Sequence, residues 1–554
     1  MPSNAEAAEI FRNIADLLDV LGEKFKPEAY RRAARSIETL PEDLAKFAAR
    51  DELRTIPGVG EAIAEKIREY LATGQVPYYE RLKHDVPPGL VELMHLSGLG
   101  PKTARRFWTD LGIEGPAELE AAIAQGRLDS VKGFGPKKIE QIRQALAAAR
   151  TAPRGGSARA PIESVYPIAE RIVRALRERA RTDTVEVAGS FRRRRETVGD
   201  LDILVTSDEP ERVFDTFSAL PEVREVRLRG GTKETVLLTN GLQVDLRVVA
   251  PAAFGAALQY FTGSKDHNVH LRTIARERGL KINEYGVFRG EELVGGRTEE
   301  EVYGTLGLPW IPPELREDHG EIEAAARGAV PPLVRAQDLT GDLHVHLDPA
   351  ASAADVSRLV ESARTRGLSY LGVVVAGLDP DGRPFALTAR ALAAIDAARG
   401  RGVEVGRALE VGPHALPPAV RDVGADYRIL RPSLPIPSAA VPDGDGPPPV
   451  LLAHLGVAEP DRSGPWRPWV EWARTAAVAV EVGPGPERLD STAARLARES
   501  GVRLHVPTGV GRPSEDPTGP VALGFARRAA TVPSDLLVRA PPGERAARRP
   551  RASG

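Results

Sequence analysis

The chain has 554 residues, 42% of them hydrophobic and 27% charged, with a formal net charge of −2 and no cysteine. Taking roughly 150 residues per domain, that length makes three or more domains, and the absent thiols exclude disulfides, zinc–thiolate sites and cysteine catalysis. No apolar run approaches the ~18 residues that span a bilayer, and Met1 to Glu6 lack a basic start or apolar leader core, so a cytoplasmic protein with no membrane partner is expected. Every lysine lies at or before Lys281, which puts any nucleic-acid surface built with lysine in the first half.

Residues 1–150 read as helical, with apolar spacing through Ala8, Ile10, Phe11, Ile14, Leu17 and Leu18 and again through Ile63, Ile67, Tyr70 and Leu71. A short repeat occurs three times in this stretch, around Gly58-Val59-Gly60, Gly98-Leu99-Gly100 and Gly133-Phe134-Gly135. Each copy is expected to be an apolar helix end, a tight turn and a second helix. Glycine permits the turn and lets a phosphate approach the backbone, and the first amides of the following helix point at that anion. The repeat resembles the helix-hairpin-helix motif, which implies a sequence-independent grip on the DNA backbone. The first two copies are then expected at the two sides of a gap or nick. A Pro/Gly/Ser-rich segment, 151–161, reads as a linker.

Beyond it a helix through Ala169, Ile172, Val173 and Leu176 precedes strands, an α+β pattern. The turn Gly189-Ser190-Phe191-Arg192-Arg193 is followed by Gly199-Asp200-Leu201-Asp202 and, later, by Val244-Asp245-Leu246. In a strand, residues i and i+2 share a face, so Asp200 and Asp202 stand side by side and Asp245 adds a carboxylate from a neighbouring strand. Three such charges repel one another unless divalent cations sit between them, and hard oxygen donors suit Mg²⁺ or Mn²⁺. The Gly-Ser turn offers backbone N–H and a hydroxyl to a phosphate. A lone Asp-x-Asp is usually a solvated strand end; the turn before it and the second strand behind it indicate a two-metal nucleotidyltransferase site. Residues 251–315 read as mixed, with a helix near 266–279 and short strands over 280–295. A linker, 316–337, leads to short strands and helices over 338–540. Within them the run Pro435 to Pro449 is low in complexity and reads as a surface loop, and the Arg-rich tail 541–554 reads as disordered.

With these residues together, the chain resembles the family X DNA polymerases, the polymerase beta-like family, and specifically the bacterial type with a C-terminal PHP (polymerase and histidinol phosphatase) domain. The resemblance implies a multidomain fold: all-α helix-hairpin-helix domains over 1–85 and 86–150, an α+β nucleotidyltransferase palm over 162–255, a thumb over 256–315 and an α/β PHP-like barrel over 338–540. It implies that Asp200, Asp202 and Asp245 bind two metals, that Ser190 and Arg193 contact the incoming triphosphate beside Gly189, and that Gly199 allows close approach. Tyr260, Phe261 and Gly263 match the sugar gate, where a ribose 2′-hydroxyl would clash, and Asn268 and Arg272 match positions that meet the base and the template minor groove. Two departures stand out: Arg194 replaces a glycine common at the end of the turn, and Gln243 stands where polymerase beta has an arginine that tunes the catalytic carboxylate. Lys66 matches the Schiff-base lysine of members with 5′-deoxyribose-phosphate lyase activity, and Lys26 and Tyr30 match positions around the 5′-phosphate. Ala62, however, replaces a phosphate-binding lysine, so a lyase nucleophile and a plain solvated charge stand side by side at Lys66.

Active PHP domains use nine His, Asp or Glu ligands for three metals. Here His344, His346, Glu410 and His454 survive, while Ala351, Ala376, Ser433, Gly509 and Gly511 fill the other places. Most of the charged ligands are gone, and each divalent ion needs several donors to replace its water, so loss of the exonuclease is expected. The resulting expectation is a DNA repair polymerase that fills short gaps in base excision or end joining, taking gapped or nicked DNA and deoxynucleoside triphosphates, with a repair ligase or end-binding factor as further partner. A monomer is expected, since no heptads appear. Two rivals remain: a DNA-end scaffold without catalysis, and a Mn²⁺-dependent PHP nuclease with a vestigial polymerase.

Overall fold

The computed structural model describes residues 4–23, 26–38, 44–87, 101–128, 159–180, 184–378, 384–398, 402–411, 425–430, 449–452, 466–484, 488–512 and 516–537, with single positions among 89–99 and 135–146 and at 182. Gly98, Gly100, Gly133, His454, the run 435–448 and the tail 541–554 lie outside the described residues. The chain divides into two units, 1–159 and 160–554. No helix among the described residues is long and apolar enough to cross a membrane.

Apolar residues three or four apart give each helix of the first unit one face to bury. Helix Asn4–Leu21 buries Phe11, Ile14 and Leu18 against Ala33, Ala34 and Ile37 of Lys26–Glu38. Helix Glu61–Thr73 adds Ile63 and Ile67, and Pro101–Leu111 adds Phe107. Phe11, Tyr30 and Tyr78 form a stack with centroid separations of 5.9 and 6.2 Å. In the first glycine repeat, Gly58 has φ +82, and a Cβ there would come within 2.7 Å of Arg32 Cγ. Gly60 is the N-cap of Glu61–Thr73, while the residues before the turn form only a short 3-10 helix, Leu53–Thr55.

The second unit opens on a five-stranded sheet in the order Val185–Val187, Asp200–Val205, Gln243–Val248, Lys233–Leu238, Val223–Gly230. The second and third of these run parallel and the other pairs antiparallel. Helices Ile162–Arg179 and Pro210–Ser218 supply Ile172, Leu176, Phe214 and Phe217 to the core with Leu201, Ile203, Val244 and Leu246, which leaves the aspartates on the other face. Helices Phe254–Thr262 and Lys265–Glu277, the strands Lys281–Asn283, Gly286–Arg289 and Glu292–Gly295, and helix Glu299–Thr305 follow.

Of the two segments read as linkers, the end of the first and the second have structure among the described residues. Ala160–Pro161 pairs antiparallel with Thr197–Val198, an edge position that proline tolerates. Residues 316–330 pack back on the preceding elements, where helix Glu321–Ala326 buries Ile322 and Ala325 and Arg316 is fully buried, while Val334 joins a core of the C-terminal region. Charge hid this burial, because Arg and Glu rarely go inside unless paired. Here Glu299 accepts from Arg316 at 2.6 and 3.1 Å, from Arg192 at 2.8 and 2.9 Å and from Trp310 Nε1 at 2.9 Å.

The C-terminal sheet has, among the described residues, seven parallel strands in the order Gly341–His346, Tyr370–Leu378, Glu404–Val411, Tyr427–Leu430, Pro449–Leu452, Ala479–Glu481, Leu504–His505, with Pro384–Ala386 antiparallel on the second. Its outermost strands are tied by side chains: the Leu343 amide donates to His505 Nε2 at 3.0 Å and the Thr508 amide to Asp342 at 2.8 Å. The sheet therefore curls. One apolar cluster joins Ile162, Val165 and Phe214 to Trp469, Val470, Val521 and Phe525, so palm and C-terminal region share a core.

Removing one partner from a buried ion cluster leaves the others unpaired. Glu299→Ala should therefore cost about 3–5 kcal/mol of stability, read as a lower urea midpoint for the second unit. A loss below ~1 kcal/mol would mean that Arg192 and Arg316 reach water instead.

Candidate active site on the palm sheet

Alternation along Asp200–Val205 sends Leu201, Ile203 and Val205 into the core and leaves Asp200 exposed and Asp202 half-buried on the other face. Parallel pairing sets Asp202 opposite Asp245 and Asp200 opposite Gln243. The sequence-predicted carboxylates thus share one face of two neighbouring strands. On the adjoining strand Lys233 Nζ lies 2.6 Å from Asp245 Oδ2, and Gln243 Nε2 lies 3.4 Å from Oδ1. Asp202 is pushed up to about 7, first by burial and then by Asp200 and Asp245, against the opposing pull of Arg247 and Lys233.

Helix Gly189–Arg192 begins beside these acids. Gly189 has φ +65, and a Cβ there would lie 3.2 Å from Asp202 Oδ2, so glycine serves both the conformation and the clearance. Ser190 is half-buried, as is Gly199 at the head of Asp200–Val205. Arg193 is engaged elsewhere: its Nε donates to Glu317 Oε1 at 3.0 Å and its Nη1 to the Thr262 carbonyl. Tyr260 and Phe261 meet edge-on, 5.1 Å between centroids at 78°. Gly263, at φ +71, ends their helix. Asn268 is buried; it accepts from Gln259 at 2.7 Å and donates to the Tyr260 carbonyl at 2.7 Å, which braces the aromatic pair. Arg272 is exposed.

A metal fits the palm by charge, since three acids share one face and one holds a proton near neutrality. Hard oxygen donors favour Mg²⁺ or Mn²⁺. Among the described residues, however, the set whose ligand atoms lie within 4.8 Å of one another is His344, His346 and Glu410. The palm acids are not so gathered, and Lys233 supplies the cation against Asp245. In the C-terminal region His346 Nε2 is 3.0 Å from His344 Nε2, and Glu481 lies 2.8 Å from His344 Nδ1. Glu481 and Glu410 outweigh burial and hold His344 up at about 9.

In the first unit, Lys66 Nζ donates to the Ala62 carbonyl at 3.0 Å and sits 4.8 Å from the Tyr78 ring centroid. Tyr30 is buried in the stack beside that ring, and Lys26 is exposed, paired with Glu23 at 3.1 Å. Gly135 is exposed, and its carbonyl accepts from the Ile139 amide at 3.1 Å.

Residues 159–250 match the DNA polymerase beta palm and 257–317 the DNA polymerase beta thumb. Residues 2–76 match a helix-hairpin-helix domain and 90–148 a SAM-like helix-hairpin-helix tandem. The chain is 35% identical over 369 residues to the DNA polymerase/3′-5′ exonuclease PolX of Bacillus subtilis (strain 168), covering 66% of this chain and 63% of that protein. The matched palm and thumb are those of family X, the polymerase beta-like family. The chain is also 26% identical over 357 residues to DNA polymerase lambda of Rattus norvegicus (57% of this chain, 58% of the relative) and 25% over 348 to that of Arabidopsis thaliana (56% and 62%). Each match spans less than two thirds of the relative's own length.

Three residues escaped the sequence reading. Lys233 reaches Asp245 only across a strand pair, Arg192 is held by Glu299, and Arg247 lies 4.5 Å from the Phe261 ring centroid. Alternation could have put Arg247 on the aspartate face; the other two depend on pairings between distant segments.

Since Asp202 is raised to about 7, it is protonated below that pH and a cation must displace the proton. Mg²⁺ or Mn²⁺ binding should release close to one proton at pH 6 and far fewer at pH 8.5, with affinity rising roughly tenfold per pH unit below 7 and levelling above. Calorimetry in buffers of different ionisation enthalpy reads this. Asp202→Asn should remove the proton release, and equal release at both pH values would contradict the assignment.

Proposed function

We propose that this chain is a template-directed DNA polymerase that fills short gaps during base-excision or end-joining repair. The observation that carries the reading is the pairing of Asp202 with Asp245 on the face that also bears Asp200, beside the glycine turn at Gly189. In this reading Asp245 lies nearest the primer 3′-hydroxyl, and Asp200 and Asp202 face the triphosphate. Mg²⁺ or Mn²⁺, bound by the three aspartates, would acidify that hydroxyl and neutralise the phosphates. Ser190 and the Gly189 turn receive phosphate oxygens, and Arg193 joins them on leaving Glu317. Tyr260 and Phe261, braced by Asn268, bear on the sugar, and Arg272 reaches the template side. In this reading the glycine turn at Gly58 and Gly60 and its two repeats grip the backbone of gapped or nicked DNA. A cytoplasmic monomer that hands its product to a ligase completes the proposal.

The C-terminal region is read as a PHP-like barrel that has lost its exonuclease. The curled parallel sheet supports the barrel. His344, His346 and Glu410 supply donors for one ion, too few for a trinuclear centre. An Mn²⁺-dependent nuclease that survives Asp245→Ala and is lost in His344→Ala would reverse this reading.

Duplex DNA with a one-nucleotide gap should be filled with the templated nucleotide, faster with a 5′-phosphate than a 5′-hydroxyl downstream. Asp245→Ala should lower extension by on the order of 10²–10³-fold or more while gapped DNA still binds. Firm binding without incorporation by the native chain would leave a non-enzymatic scaffold.

The proposal extends to lyase chemistry at Lys66. Its amine must leave the Ala62 carbonyl and the Tyr78 ring to attack an abasic aldehyde. Borohydride should trap the native chain on 5′-deoxyribose-phosphate DNA and fail with Lys66→Ala; equal trapping would move the nucleophile elsewhere.

A further inference from the structure

The turn at Gly189 continues into Arg193, Arg194, Arg195 and Glu196, and one helix of the C-terminal region meets Arg193, Arg194 and Glu196. Helix Thr518–Arg528 ends in Arg528, whose Nη1 donates to the Arg193 carbonyl at 3.1 Å and to Glu317 Oε1 at 2.9 Å. Its Nε reaches Ser491 Oγ at 3.3 Å and lies 3.9 Å from Glu196 Oε1, and Ser491 in turn donates to Glu196. One turn earlier, Gly524 faces the stem of Arg194: a Cβ at 524 would lie 2.6 Å from Arg194 Cγ and 2.9 Å from its Cβ. Arg194 itself has φ +56, the left-handed conformation that a side chain disfavours and that the family's common glycine adopts freely. Its guanidinium spreads over Tyr166 and Phe191 at 5.3 and 5.4 Å.

We propose that this helix acts on nucleotidyl transfer from outside the palm, holding the 189–196 turn in the shape that receives the triphosphate, with Gly524 and Arg528 as positioning residues. The inference rests on the polymerase reading. Two physical arguments carry it. The bare face at Gly524 leaves room for an arginine at a left-handed position, so the departure from glycine at 194 is matched by a glycine on the helix that covers it. Arg528 also shares Glu317 with Arg193. When phosphate draws Arg193 away, Glu317 stays paired, and a buried unpaired charge is avoided. The C-terminal region would thereby keep a duty in polymerisation without any chemistry of its own.

The test uses the full chain on one-nucleotide-gap DNA. Nucleotide affinity is measured with a chain-terminated primer, which needs no chemistry, and gap filling is measured in parallel. Gly524→Ala should lower kcat/KM for the nucleotide by on the order of 10²-fold, mostly through KM, with unchanged affinity for the DNA. Adding Arg194→Gly should restore it, a rescue that general destabilisation would not produce. Arg528→Gln should weaken nucleotide binding and Arg528→Lys should retain part of it; this pair decides the matter where Gly524→Ala does not fold. Unchanged nucleotide affinity in both variants, or a Gly524→Ala defect that Arg194→Gly does not rescue, overturns the proposal. If the native chain binds nucleotide weakly or not at all and fills no gap, the polymerase reading itself has failed.

Discussion

The parallel pairing of Asp200–Val205 with Gln243–Val248 sets Asp202 against Asp245, and the rest of the second unit answers to the repulsion this creates. Burial alone would raise a carboxylate, and two acidic neighbours raise Asp202 further, to about 7. The sheet can hold such a face because its other side is anchored by Leu201, Ile203, Val244 and Leu246 in a continuous core. Lys233, seated on Asp245, takes up part of the charge. The arrangement is thus prepared for added positive charge and costs folding free energy until it arrives, as functional sites commonly do.

Around this face the palm and thumb are fastened by buried ions. Glu299 binds Arg192 from the glycine turn, Arg316 from the end of the thumb, and the Trp310 indole. Glu317 binds Arg193 and Arg528. Such clusters add little net stability over apolar packing, but each carboxylate fixes two distant segments in one relative position. Both clusters converge on the 189–196 turn.

In the C-terminal region a cluster of histidines and carboxylates is held by its own contacts. His344 is held by Glu481 and His346, and His505 ties Glu481 to the opposite edge strand. These contacts close the curled sheet whether or not a cation binds. Apolar packing of Trp469, Val521 and Phe525 against the palm helices then makes the region part of the same folded body.

Much of this was legible in the sequence. Strand alternation put Asp200 and Asp202 on one face, helical periodicity outlined the first unit, and Gly58 and Gly189 marked turns that require positive φ, because these are local properties of the backbone. What stayed hidden depends on contacts between segments far apart in the chain. Arg193 appeared free to hold phosphate but is bonded to Glu317, 124 residues later; residues 316–337 looked like a linker because their buried charges find partners only in three dimensions. Lys233 became part of the site through strand register alone. The sequence by itself determined which residue types and local shapes were present, since these follow from neighbours along the backbone. Only the tertiary structure decided which charges pair, because ion pairing and burial depend on distance through space.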